Sequence, residues 1–413
     1  MLLRSLEIGG GIVNTVRLAV ELHRRGHNVC VVSDEGVLAA DLHEAGVPVV
    51  FLPLDRKGLR PSPNIVRDLA RVARKHRADC IFNGEISSET VIEAPLVSLW
   101  TGAPLLQAHY LNWLSPLYLP RLGPMLVTKP YMVDDLVDLG WPRESVILWE
   151  ARIPLGIVVD PERVRAFRSA AGAGPEHFLA VTVCRLDWTA NQQWLRFLLD
   201  AVRTLYGEDP ESPLRLALVG DGPGRDEIMS HARRLGLIET DRAPVRFLGA
   251  MADPHPAYAG CDLFIGRGSS ILRAMSMAVP SIALGTHYSR PVAREFFEEL
   301  TYHEFTRNLP CDPGALLALV ALLRRLMSDP DLRGRMAREG RELVAERYDL
   351  ARGAGQIEGW LRDLVRRPRP VSRARVCLEV AHALADQVWY RIRRRFGYHL
   401  PALPSRQGLP FPQ

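Results

Sequence analysis

The residues best suited to chemistry in this chain cluster in Asp262–Leu284, DLFIGRGSSILRAMSMAVPSIAL. The pattern predicts a buried strand, a glycine turn, a helix, a proline and a second strand. A turn of this kind aims backbone N–H groups and a helix N-terminus at one point, which suits a phosphate. Arg267 in the turn and Arg273 in the following helix make the point cationic, and Gly268, Ser269 and Ser270 supply N–H and hydroxyl groups. A second glycine run, Gly9-Gly10-Gly11, lies between a short apolar segment and a helical pattern and is either a tight βα turn or an anion-binding one. Asp34, after the next strand, stands where a dinucleotide site keeps its ribose-binding acid, but Asn14 replaces the third glycine of G-x-G-x-x-G. No Ser–His–Asp order, H-E-x-x-H or D-x-D pair is visible. Neither a metal nor a cofactor is expected.

The elements that must position these residues follow from composition and periodicity. A chain of 413 residues predicts two to three domains, and 47% apolar with 24% charged residues is the balance of a soluble globular protein. No apolar run approaches the roughly 20 residues of a membrane helix, and the first residues do not read as a signal peptide. The six cysteines are scattered without a C-x-x-C pair, which points to a reduced, cytoplasmic protein.

Continuous apolar strands alternate with amphipathic helices: strand Leu2–Leu6, helix Ile12–Arg25, strand Asn28–Ser33, and so on to strand Pro104–His109. After the small-residue stretch Ala170–Pro175 the register restarts with strand Phe178–Arg185, helix Gln192–Tyr206, strand Leu214–Gly220, strand Val245–Leu248 and the phosphate-type turn. Such a pattern predicts an α/β protein with two doubly wound Rossmann-like domains facing a cleft, with ligands outside the carboxyl ends of the strands. The expected domains are 1–165, 166–365 and a basic Pro/Arg-rich linker, helix and tail at 366–413.

The net charge of +5 is unevenly spread. Arg362–Arg395 holds ten arginines against Asp363, Glu379 and Asp386, a local +7 that leaves −2 for the rest. Nucleic acid is therefore not an expected partner. Residues 374–395 predict a helix with Cys377, Val380, Ala381, Leu384, Val388 and Ile392 on one face and Glu379, Asp386 and Arg393 opposite. It either folds back on the first domain or anchors the protein peripherally at the inner face of an anionic membrane.

Five pieces, in order, resemble the retaining, nucleotide-sugar-dependent glycosyltransferases of the "group 1" type. They are SLEIGGG with LAVELHRRGHNVCVVS, VTVCRLDWTANQQ, LALVGDGPGRDEI, VRFLGAM and the opening motif. The likeness runs from about Ser5 to Arg352 and implies the GT-B fold. It implies transfer of a sugar from a nucleotide diphosphate sugar, with retention and without metal, to an acceptor the sequence does not identify, a lipid-linked molecule and a glycan being the two candidates. Carried over residue by residue, Arg185 and Arg267 grip the pyrophosphate, and Gly10 and Gly11 shape the cleft mouth. Gly222 belongs to the V-G-D-G-P turn, and backbone at Gly249–Met251 receives the base. His109, closing PLLQAH, faces the donor sugar. The regions Asn83–Glu85 and His109–Trp113 hold the acceptor. Two positions depart from the family pattern: its lysine is Ala190, and its ribose-binding glutamate is Arg273, which has donors only. Rival readings are a non-catalytic binding protein on the same fold and a sugar-nucleotide epimerase.

Overall fold

The computed structural model describes residues 1–7, 9–56, 61–84, 90–110, 118–187, 191–238, 240, 243–366 and 372–395. Glu85, residues 111–113 and Ala190 lie outside them. Contacts divide the chain into two compact units: Met1–Arg152 with the described residues from Leu350 onward, and Ile153–Asp349.

The first unit opens with α1 (Gly10–Arg24), β1 (Val31–Ser33), α2 (Ala39–Glu44), β2 (Val49–Phe51) and α3 (Pro63–Lys75). There follow β3 (Ile81–Asn83), α4 (Glu93–Thr101), β4 (Leu105–His109), β5 (Met125–Val127), α5 (Pro130–Asp138) and β6 (Val146–Leu148). β1 pairs with β2, and β3, β4, β5 and β6 pair in that order, all in parallel. The expected first strand contracts to Leu2, which bridges Val32 and Asn83 and so joins the two sets of strands. The reason is side-chain direction: Leu3 and Leu6 both enter one core, a spacing of three that strand alternation does not allow. Short local signals set the helix ends. Ser62 Oγ accepts from the Ile65 N–H at 3.3 Å ahead of Pro63, and Gly102, left-handed at φ 78°, ends α4.

The second unit begins with α6 (Pro161–Ala170), β7 (Phe178–Val183), α7 (Gln192–Glu208), β8 (Leu214–Val219), α8 (Arg225–Arg234) and β9 (Val245–Gly249). It continues through α9 (His255–Ala259), β10 (Leu263–Gly266), α10 (Ser269–Ser276), β11 (Ser281–Gly285) and β12 (Tyr288–Pro291). It closes with α11 (Phe297–Tyr302), α12 (Ala315–Ser328) and α13 (Pro330–Arg347). The six strands run in the order β12-β11-β10-β7-β8-β9, parallel except for β12. Strands such as β7 and β11 are buried along their length, which is why they read as unbroken apolar runs.

The chain then returns to the first unit as α14 (Leu350–Arg366) and α15 (Arg373–Arg395). The boundaries at Arg152 and Leu350 differ from those expected at 165 and 365. α6 packs on α9 of the second unit, while Ala354 and Ile357 of α14 enter the first unit's core and Gly353 O accepts from Trp149 Nε1 at 3.0 Å.

α15 does fold onto the first unit, with Val380 buried and Leu384 half-buried as expected, but its buried face is rotated by part of a turn from the one expected. Val376, Glu379, Val380, Ala383 and Gln387 are buried, whereas Cys377, Ala381, Val388 and Ile392 are exposed. The buried face is partly polar because it supplies acceptors. Glu379 Oε2 accepts from Tyr118 Oη at 2.7 Å and from the Arg121 N–H at 2.8 Å, and Asp386 Oδ2 accepts from the Tyr118 N–H at 2.8 Å.

Candidate active site

Strand order gives the sheet of the second unit a switch point. The chain moves from β7 outward through β8 to β9, then returns to place β10 on the other side of β7. At such a switch point the connections leave the carboxyl ends of the two central strands in opposite directions and open a crevice. Arg185 follows β7 by two residues and Arg267 follows β10 by one, so the two expected phosphate-binding arginines flank it. Burial pushes the thiol of the intervening Cys184 up to about 12, Asp187 adds to the shift, and the Arg267 charge opposes it. Arg185 is exposed, and its guanidinium makes no hydrogen bond or ion pair among the described residues.

The turn after β10 has the expected form. Gly268 adopts φ 59° and ψ −142°, a conformation that a Cβ would strain, and it precedes the first turn of α10. The N–H groups of Ser269 and Ser270 stand at the helix N-terminus, where no intrahelical acceptor exists. Ser270 Oγ donates to the Arg267 carbonyl at 2.8 Å, so this hydroxyl ties the turn together.

The glycines after β8 do something the sequence did not reveal. A Cβ at Gly220 would lie 1.8 Å from the Cys184 carbonyl oxygen, and one at Gly222 would lie 2.3 Å from that of Leu186. Their backbones press against the segment that carries Arg185. Leu186 N–H donates to Asp221 O at 3.0 Å, and Gly224 N–H donates to Leu186 O at 2.8 Å. Gly249, at the end of β9, accepts from the Gly220 N–H at 2.7 Å, which draws Gly249 and the half-buried Met251 toward the same edge.

Arg267 is held from a distant part of the chain. Its Nη2 donates to Thr306 O at 2.5 Å and its Nη1 to Asn308 Oδ1 at 3.5 Å. Asn308 Oδ1 also accepts from the Thr286 N–H at 2.9 Å. Neither Thr306 nor Asn308 stood out in the sequence, since about forty residues separate them from Arg267 and no motif marks them. Arg273, in the last turn of α10, is half-buried, and its buried Nε has no partner among the described residues.

In the first unit, Gly10 and Gly11 are the opening residues of α1 rather than a separate turn, with Gly9 as the cap. Gly11 is demanded by close approach: a Cβ there would lie 2.7 Å from Tyr110 Cβ. Tyr110 follows His109, which is fully buried at the carboxyl end of β4. Gly10, Gly11 and His109 thus gather at one end of this sheet. The buried Lys129 joins them, donating to Tyr110 O at 3.2 Å and Thr128 Oγ1 at 2.9 Å. Asp34 is not available to a ribose. Its carboxylate takes Arg56 Nη2 at 2.9 Å and Nε at 3.1 Å, and although burial alone would raise its pKa, these bonds hold it below the usual range. A cavity of about 560 Å³ in this unit lies among residues such as Cys30, Cys80 and His76, at the amino ends of β1 and β3. That is the wrong end of the sheet for a ligand site of this architecture.

Residues 177–327 match the model "Glycosyl transferases group 1", and residues 9–150 match the "Glycosyl transferase 4-like domain". The chain belongs to the group 1 glycosyltransferases. No curated protein sequence matches it. Among solved structures, Anabaena Alr3699/HepE in complex with UDP and glucose is similar over 88% of this chain and 98% of its own, at 18% identity and a TM-score of 0.67. A glycosyltransferase from Rickettsia africae is similar over 89% and 98%, at 12% identity and a TM-score of 0.70. WaaG, a glycosyltransferase involved in lipopolysaccharide biosynthesis, is similar over 86% and 98%, at 15% identity and a TM-score of 0.57. These likenesses establish the α/β, GT-B architecture for this group 1 chain.

Proposed function

We propose that this glycosyltransferase takes a sugar from a nucleotide diphosphate sugar and transfers it to an acceptor hydroxyl with retention of configuration. The observation that carries the reading is the convergence of Arg185, Arg267 and the Gly268–Ser270 turn on the switch point of the second sheet. As the bond from the sugar's anomeric carbon to the diphosphate oxygen breaks, its electron pair goes to the diphosphate, whose oxygen takes the proton that the acceptor hydroxyl loses on bonding to the same carbon. The tethered Arg267, the exposed Arg185 and the helix N–H groups stabilise that developing charge. The backbone at Gly249 and Met251 is assigned to the base, with Gly222 holding the Arg185 segment. His109, with Gly10 and Gly11, is assigned to the transferred sugar and the acceptor side, the acceptor being a lipid-linked molecule or a glycan.

A panel of nucleotide sugars, scored for nucleotide release with crude lipid and glycan acceptors, tests the reading. Acceptor-dependent release from at least one donor supports it, and release from none contradicts it.

Arg273 favours a second reading, in which the protein binds nucleotide without transferring sugar. An arginine cannot accept hydrogen bonds from ribose hydroxyls, and its buried Nε, a donor, has no partner among the described residues. Arg273→Glu separates the two. It abolishes activity if the arginine has become a phosphate ligand, and it restores or leaves unchanged whatever activity remains if the site has decayed.

A further inference from the structure

The mounting of α15 leaves an unusual surface. Both carboxylates of this helix, Glu379 and Asp386, are turned toward the first unit as acceptors for Tyr118 and Arg121. What faces outward is an apolar stripe at helical spacing: Leu378, Ala381, Ala385, Val388, Trp389 and Ile392. Trp389 and Ile392 are 53% and 43% exposed, values that decide the point because large side chains on an unpartnered helix ordinarily turn inward. Arginines frame the stripe at both ends. Arg373 and Arg375 are exposed at its start, Arg391 and Arg395 are exposed at its finish, and the Arg393 guanidinium stacks 4.9 Å from the centre of the Trp389 ring.

We infer that this face of α15 docks the protein on an anionic lipid surface. The chemistry is specific to that occupant. An interfacial helix sinks its apolar stripe into the headgroup boundary while arginines meet lipid phosphates and a tryptophan sits at the level of the headgroups. A second copy of the chain would bring the same arginines against these, with no outward carboxylate on the helix to pair with them. The buried polar face explains how the helix stays attached to the protein while its apolar face remains outside. Among the described residues no helix is long and apolar enough to cross a membrane.

Sedimentation of the full chain with vesicles tests the inference. One set is phosphatidylcholine alone and the other is equal parts phosphatidylcholine and phosphatidylglycerol. Deleting the helix is unsuitable, because it would strip Tyr118 and Arg121 of their acceptors. Exposed residues are changed instead: Trp389→Glu with Ile392→Glu in one variant, and Arg391→Glu with Arg395→Glu in another. The expected result is binding to the anionic vesicles only, weakened by salt and reduced about tenfold or more in both variants, with unchanged melting temperatures. Three results would overturn the inference: no binding to either vesicle, equal binding to both, or binding that survives both pairs of changes. A concentration-dependent dimer abolished by the same substitutions, without vesicle binding, would assign the face to self-association and overturn it as well.

Discussion

The Arg267 guanidinium is bonded to the carbonyl oxygen of Thr306, 2.5 Å from its Nη2. One residue away, the Gly268 N–H donates to Phe305 O at 3.3 Å, so a single short segment grips both the side chain and the backbone of the phosphate-type turn. That segment is itself bent. Glu304 (φ 49°) and Phe305 (φ 57°) are consecutive non-glycine residues in the left-handed region, each costing about 1 kcal/mol or more, and buried packing of Phe305 near Tyr348 sustains them.

Asn308→Ala removes the acceptor shared by Arg267 and the Thr286 N–H. The expected outcome is a loss of about 1–2 kcal/mol in denaturant unfolding, from the unsatisfied amide. Nucleoside diphosphate affinity falls about fivefold or more as Arg267 loses a tether. Unaltered affinity in a folded variant would show that Asn308 does not position Arg267.

Two glycines near the site make opposite predictions. Gly220→Ala places a Cβ against the Cys184 carbonyl at a distance no packing tolerates, and at φ 141°. It destabilises by more than about 3 kcal/mol or prevents folding. Gly249→Ala, at φ 71° with no atom within 4 Å of the new Cβ, costs only the backbone strain of about 1 kcal/mol. Comparable melting temperatures for the two variants would contradict the tight contact between the Gly220 turn and the Arg185 segment.

His303 provides a pH test. Burial, reinforced by the Arg307 charge and opposed by Glu299, pushes this imidazole down to about 4. Its folded pKa lies below the unfolded value of about 6.5, so between these pH values the unfolded chain binds the extra proton. Stability is full above the unfolded pKa and falls, on the order of 2 kcal/mol, as pH drops from about 6.5 to 4. His303→Gln flattens that part of the stability profile. An identical slope in both proteins would remove His303 as its source.

The sequence made the alternation of strands and helices legible because buried parallel strands leave unbroken apolar runs and the helices carry Ser, Asp and Pro at their starts. The turn at Gly268 was legible because glycine there has a backbone reason. Thr306 and Asn308 were not, since they act through a carbonyl and an amide brought in from another part of the chain. The buried face of α15 was misplaced by part of a turn for a related cause. Its apolar residues predicted the buried face, whereas the decisive partners were unsatisfied N–H groups at Tyr118 and Arg121 that called for Glu379 and Asp386. Asp34 likewise stood where a ribose ligand stands in other folds, and only the structure revealed Arg56 across from it.

The proposed reaction requires the second unit to bind a nucleotide diphosphate through Arg185 and Arg267. Calorimetric titration of the intact protein with UDP, GDP, ADP and TDP, beside their nucleosides, tests it most directly, repeated with Arg185→Ala. At least one diphosphate is expected to bind, with a gain of about 2.7 kcal/mol in folding stability at a hundredfold excess over its dissociation constant. Because a guanidinium pairs with phosphate oxygens, Arg185→Ala weakens that diphosphate about tenfold or more while leaving its nucleoside nearly unaffected. No binding of any of the four, or an equal loss for diphosphate and nucleoside, would contradict it.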